Sequence, residues 1–546
     1  MRISVWGTLV TAIALLLAIP VFVIVFNLFV PAGEVWQHIY ATVLGDYITN
    51  SLLLMLGVAI GSLLLGVTAA WLVSMTEFPG RKYFEWGLLL PMAIPAYIIA
   101  YTYTGMLDFA GPLQTSLREI TGWDYGDYWF PEVRSLEGAA IMMTLVLYPY
   151  IYLLARAAFV SQSLCLLEVS RSLGNGPWRT FFTIALPLAR PAVIAGLSLV
   201  LMETLADYGT VQYFGVSTFT TGIFRTWYGL DNAPAAAQLA AILLLFVLVL
   251  LTLERYSRQK ARYYNASRRH HGQGRFRLEG WNKLAAFLIC FFMLVFGFLL
   301  PASQLAIWAM DTAVEVVDAE FFLLVLHSLE LAASAAIFAL VIALILGYGR
   351  RLNPTPLVKT AVRMASMGYA VPGTVIAVGV IIPLGYLDNA LDSWMRNQFN
   401  YSTGLLFSGT IFALLFAYMV RFLAVSLHAV ESGLERITPS MDEAASSMGC
   451  RPLSILGKIH IPMLKGSLLT GLLLVFVDVL KELPATLILR PFNFNTLAVK
   501  AYELASDERL ADASSASLAI VLAGIVPIII LNRSISRHGE RSLGQR

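Results

Sequence analysis

The sequence predicts an all-α polytopic membrane protein, with about twelve transmembrane helices forming two parallel six-helix repeats. Three observations predict it. The first is composition: with 58% hydrophobic residues, 13% charged residues and a mean hydropathy of +0.73, the 546-residue chain is too apolar to wet the surfaces of ordinary soluble domains. The second is a succession of apolar runs of membrane-spanning length, and the third is an internal repeat. A net charge of only +3 does not suggest a nucleic-acid partner. Membrane lipid is the expected surrounding.

Apolar runs between charged breaks put span cores at 5–30, 50–73, 86–107, 138–155, 191–213, 236–252, 284–308, 322–348, 364–386, 405–420, 466–489 and 514–531. The first, from Val5 to Val30, carries no charge and is too long for a cleaved signal. An even count places both termini on one side of the membrane. With the termini cytoplasmic, the inward segments hold 29 Lys or Arg against 7 outside, with Lys481 inside a span, and cationic residues resist translocation. The expected location is therefore a bacterial inner membrane, with both ends in the cytoplasm. The segment 254–283 is the most basic and reads as a cytoplasmic linker between the halves. His270 and His271 in it sit beside Arg268 and Arg269, a basic loop rather than a metal site. Cys165, Cys290 and Cys450 are scattered singly, with no disulfide framework or zinc pattern.

Asn50-Ser51-Leu52 matches His327-Ser328-Leu329, and Ala93-Ile94-Pro95 matches Ala370-Val371-Pro372, both at an offset of 277. Further on, Gly174, Pro187 and Gly196 match Gly449, Pro462 and Gly471 at an offset of 275. The expected units are 1–253, the linker 254–283, and 284–546. Six spans separate equivalent positions, so the halves share one orientation about a pseudo-twofold axis along the membrane normal, with a pathway between them.

Between the fourth and fifth spans of each half lies a cytoplasmic loop, 160–190 and 435–465. In the first, Glu168-Val169-Ser170 precedes Gly174, then nine residues, then Ile184-Ala185-Leu186-Pro187. In the second, Glu443-Ala444-Ala445 precedes Gly449, nine residues, and Ile459-His460-Ile461-Pro462. Helix-favouring residues followed by Gly and Pro predict a short helix, a stop and a second short helix ending where Pro187 or Pro462 turns the chain back into the membrane.

This pattern closely resembles the EAA loop of ATP-binding-cassette (ABC) importer permeases, whose fold is the type I importer permease fold. The first copy departs from it, with Val169-Ser170 in place of Ala-Ala. The resemblance implies that each loop is a coupling helix held in a cleft of an ATPase subunit, with Glu168 and Glu443 facing a basic group there. It also implies two copies of the ATPase subunit and a periplasmic solute-binding protein. The sequence contains no GxxxxGK[ST] phosphate loop. ATP and Mg are therefore expected on the partners, with no cofactor on this chain, which is not itself an enzyme and has no catalytic constellation.

Charged residues within spans usually face a cavity or pair with one another. Glu203 and Asp207, four apart on one helical face of the fifth span, correspond at the 275 offset to Asp478 and Glu482 of the eleventh, beside Lys481. They read as walls of a translocation path, or as pairs such as Asp478 with Lys481. The stretch from Lys481 through Phe494, with Leu497-Ala498-Val499 and Ala505 to Arg509, resembles fused twelve-span ferric-iron importer permeases; thiamine importer permeases share parts of it. Iron(III) is the expected cargo and thiamine or another small solute the alternative. No cluster reads as a durable metal site, and the acids Asp124, Asp127, Glu132 and Glu137, with Glu503, Asp507, Glu508 and Asp512, read as solvated loop residues. An ion-coupled secondary carrier would leave the repeated loops unexplained, and the 75–83 loop lacks the Gly-Asp-Arg-rich motif expected of major-facilitator carriers.

Overall fold

The computed structural model describes residues 5–124, 126–161, 174, 176–259, 275–435 and 437–541. Glu168, Val169 and Ser170 lie outside these residues, as do Cys165, His270, His271 and most of the basic linker. Eleven helices among the described residues are long and apolar enough to cross a membrane. A broken pair, Arg81–Ala93 and Ala96–Thr121, bent by 92°, makes a twelfth candidate when the two are counted as one span. The twelve sequence runs each find a helix, and the β-structure described is one two-residue parallel bridge, Thr76–Glu77 with Phe276–Arg277.

The repeat is visible in the backbone. Pro95 (φ −57°, ψ 146°) and Pro372 (φ −56°, ψ 143°) each follow a 3₁₀ turn and open a new helix, because proline disfavours helical geometry in the residue before it. Left-handed residues recur in register: Gly215 with Asn493, and Asp231 with Glu508. Small residues let spans approach where lipid gives no hydrophobic drive for helices to associate. A Cβ added at Gly66 would stand 2.8 Å from Ile151 Cβ, so the second and fourth spans pack backbone to side chain there.

The halves interlock. The first span, Val5–Asn27, packs on the second half: Trp6 meets Tyr348 edge-on at 5.6 Å, and Gly379 lies against the Pro20 backbone. The seventh span, Gly280–Val316, packs on the first half, where Gly297 faces Pro91 and the Tyr103 hydroxyl donates to the Phe296 carbonyl at 2.5 Å.

Three expectations are corrected. The tenth span is Ile411–Leu434, not 405–420, so Arg421 lies within it rather than in a loop. The fifth and eleventh spans stop at Ala206 and Leu480, short of 213 and 489, and separate short helices follow at Gly209–Tyr213 and Pro484–Leu489. Pro187 and Pro462 do not turn the chain. Each follows a π turn, Phe181–Ala185 or Leu456–His460, whose wider hydrogen-bond register accommodates the missing proline N–H, and the helix runs straight through.

Candidate functional site

The two long helices Trp178–Ala206 and Pro452–Leu480 run from the loop end of the molecule to a central cavity of about 130 Å³. Each has 29 residues, a rod of roughly 43 Å at 1.5 Å per residue. Glu203, Asp207, Asp478, Lys481 and Glu482 all line this cavity, so the structure brings the five intramembrane charges together. Asp207 is not on a helical face with Glu203. It is the extended residue that ends the helix (φ −68°, ψ 134°), and both its oxygens accept from the Thr210 N–H, at 3.1 and 3.0 Å.

Glu482 sits at the equivalent break but is fully engaged. Its carboxylate accepts from the N–H groups of Ala485 (2.9 Å) and Thr486 (3.0 Å), from the Thr486 hydroxyl (2.6 Å) and from Arg421 (2.8 Å). Asp478 pairs with Lys481 at 2.9 Å. Among the described residues, the hydrogen bond that Glu203 accepts is from the Tyr369 hydroxyl, at a long 3.5 Å. Arg421 is the site residue that sequence reading missed; extending the tenth apolar run past it to Val430 would have exposed a lone cation inside a span.

A second cavity of about 980 Å³ opens between the halves toward the loop end, lined by Arg255, Arg350, Lys359, Arg363 and Glu431 among others. Tyr369, on the 3₁₀ turn Ser366–Ala370, is the residue common to both walls and stands between them.

At the loop end, the second knob is described in full. Thr438 precedes the helix Pro439–Ser447, and a Schellman stop follows: Gly449 N–H donates to the Ser446 carbonyl (3.0 Å) and Cys450 N–H to that of Ala445 (3.1 Å). Gly449 takes φ +81°, a conformation open to glycine. Ala445 is buried against the body, while Glu443, Ala444 and Gly449 are exposed. Met441, Met448 and Leu453 beside them are also exposed, Met448 at 77%, an apolar tip of the kind that marks a protein interface. Ile459 is half-buried, and Pro462 is exposed on the helix flank.

The knob's base is clamped to the eighth span by residues that the motif does not include. Arg351 donates to Asp442 (2.7 Å) and to the carbonyls of Leu434 (2.7 Å) and Ile437 (2.8 Å), Asp442 also bonds the buried His460 (2.6 Å), and Tyr348 donates to the Pro452 carbonyl (2.8 Å). In the first loop, Gly174 is likewise left-handed at φ +78°, Ile184 is half-buried and Pro187 exposed. Its base is aromatic: Trp71, the counterpart of Tyr348, packs on Phe159 and Phe181 at 5.6 and 4.9 Å.

Outer-loop acids are held by cations: Glu503 by Arg490, Glu508 by Arg134 and Asp512 by Arg509, each at 2.7 Å. Among the described residues, no group of three or more His, Cys, Asp or Glu is placed to hold a metal ion.

A family model described as "Binding-protein-dependent transport system inner membrane component" matches residues 62–263 and again 339–541. The Fe(3+)-transport system permease protein FbpB 2 of Haemophilus influenzae is 27% identical, over 90% of each chain. The ferric transport system permease protein FbpB of Actinobacillus pleuropneumoniae is 24% identical over 81% of this chain and 64% of its own. The molybdenum transport system permease protein ModB of Escherichia coli K12 is 28% identical over 37% of this chain and 89% of its own, the length of one half. Matched twice along one polypeptide, the chain belongs to the binding-protein-dependent transport system inner membrane component family, as a fused two-repeat ABC permease.

Proposed function

We propose that this chain is the permease of an ATP-driven iron(III) importer, moving the ion from periplasm to cytoplasm through the space between its halves. The observation that carries the reading is the central cavity, where four carboxylates face two cations, together with a ferric-transport relative that matches 90% of the chain. An excess of hard carboxylate oxygens suits Fe3+ and opposes an oxyanion such as molybdate. Thiamine, itself a cation, is the second reading that the same excess of negative charge admits.

The exposed second knob, and by the repeat the first loop, are each read as a seat for one ATPase subunit, giving two per permease, with ATP and Mg held there and no cofactor on this chain. The periplasmic binding protein delivers cargo at the opposite end. Both termini are assigned to the cytoplasm of an inner-membrane protein. The distribution of cations, 28 to 7 once Arg421 is taken out of the 29 and counted within the tenth span, supports this orientation, as does Trp6 at the start of the first span lying against Tyr348 at the second knob.

Mechanically, closure of the ATPase pair pushes the knobs, and the unbroken helices carry the displacement to Glu203 and Asp478 at their far ends. The test is uptake of labelled Fe3+ and labelled thiamine in cells lacking the chain and in cells given it back intact or as Glu443→Lys. Iron uptake restored by the intact chain alone supports the reading. Unchanged iron uptake with lost thiamine uptake replaces the cargo and keeps the importer.

A further inference from the structure

The two halves build the cavity wall from the same backbone but not the same charges. In the second half, Asp478 is paired with Lys481 and Glu482 with Arg421. In the first half, the position equivalent to Lys481 is Ala206, and the helix facing it carries Thr144, Leu145 and Val146 where the second half has Arg421. Among the described residues, Glu203 and Asp207 form no ion pair; Lys481 lies near enough to Glu203 to interact but is bonded to Asp478.

A second, independent feature lies beside them. Tyr97, on the first turn after Pro95, lines the cavity and is only 6% exposed, yet its hydroxyl has no hydrogen-bond partner among the described residues. It lies within electrostatic reach of Asp207 and Glu482. A buried hydroxyl left without a partner is costly, and such groups are normally satisfied by protein, water or ligand.

We infer that the first half alone supplies the transit contact for the cargo cation, through the carboxylates of Glu203 and Asp207 and the hydroxyl of Tyr97, while Asp478 and Glu482 are structural acids neutralised by resident cations. The inference rests on the ferric reading and assigns its contact residues. These three groups offer at most five oxygens, fewer than the roughly six that a hard ion takes in a closed octahedral site, so the ion is held briefly and keeps other ligands. An asymmetric site also lets the ion be released when one half moves against the other, because both second-half carboxylates in the cavity are paired with resident cations.

The experiment is ATP-dependent uptake of labelled Fe3+ into vesicles holding the permease with its ATPase subunits and loaded binding protein. Glu203→Gln and Asp207→Asn are each expected to lower the initial rate about tenfold, the effect of losing one charge-assisted contact. Tyr97→Phe removes an oxygen with no partner in the fold, so it leaves the thermal unfolding of the complex unchanged while lowering the rate several-fold. Ala206→Lys copies the second half's arrangement into the first and is expected to abolish uptake. Amounts of assembled complex, measured in the same membranes, separate loss of transport from loss of folding. Wild-type rates in Ala206→Lys and Tyr97→Phe would overturn the assignment while leaving the ferric reading intact. Intact vesicles that fail to accumulate Fe3+ would overturn both.

Discussion

The two knob bases solve one mechanical problem with different chemistry. In the second half, Arg351, Asp442 and His460 form a polar clamp around the loop; in the first, the positions equivalent to Arg351 and His460 are Ser74 and the buried Ala185, and Trp71 fills the space with Phe159 and Phe181. The cavity shows the same divergence, with Lys481 and Arg421 in one half and Ala206 and Val146 in the other. Backbone features were kept across the repeat: the kinks at Pro95 and Pro372, the π turns, and the left-handed glycines 174 and 449. Shape is thus held by the repeat, and each half is free to specialise its side chains.

The comparison can be broken most severely at the buried ion pair. Arg421→Leu strands Glu482, whose side chain is 1% exposed, and should cost about 3–5 kcal/mol of stability, read from the thermal unfolding of the purified permease. Restoring neutrality with Glu482→Leu in the same chain should recover part of that loss. Trp71→Ala empties the aromatic base of the first knob and should cost about 3–5 kcal/mol by the same assay. Asp442→Asn should cost about 1–3 kcal/mol, because it weakens bonds to both Arg351 and His460. The two bases are then distinguished by salt, which should weaken the polar clamp and leave the aromatic base unmoved.

Gly449→Val forces a β-branched residue into a left-handed conformation, at about 1–2 kcal/mol locally. Its predicted effect on uptake is far larger than its effect on membrane insertion, because it deforms the exposed tip proposed as the docking surface rather than a span. Normal uptake would contradict the coupling role of the knob. The smallest effect is expected at Arg134→Ala, which removes an exposed pair with Glu508 and should change stability by about 0.2–1 kcal/mol.

The architecture was legible because its determinants are local or periodic. Apolar run length pointed to the spans, and Glu, Gly and Pro spacing pointed to the helix, stop and second helix seen in the second loop. What the sequence obscured was set by contacts between distant segments. Arg421 ended an apolar run on paper, yet the helix continues through it, with Glu482 from the break after the eleventh span neutralising it. Asp207 looked helical by its spacing from Glu203, but its carboxylate caps the Thr210 N–H and the helix stops there. Pro462 looked like a stop, and the π turn before it was not foreseeable from composition. The pairing of Asp478 with Lys481 was one of two readings that the sequence left open, and the structure shows that pair beside the cavity rather than away from it.

The most direct test of the account is to reconstitute the permease, ATPase subunits and binding protein in vesicles and measure Fe3+ accumulation with ATP, with a non-hydrolysable ATP analogue, and with a proton gradient alone. Accumulation that requires both ATP hydrolysis and the intact second knob is the predicted result. Accumulation driven by the proton gradient without ATP, and unaffected by Glu443→Lys, would contradict it.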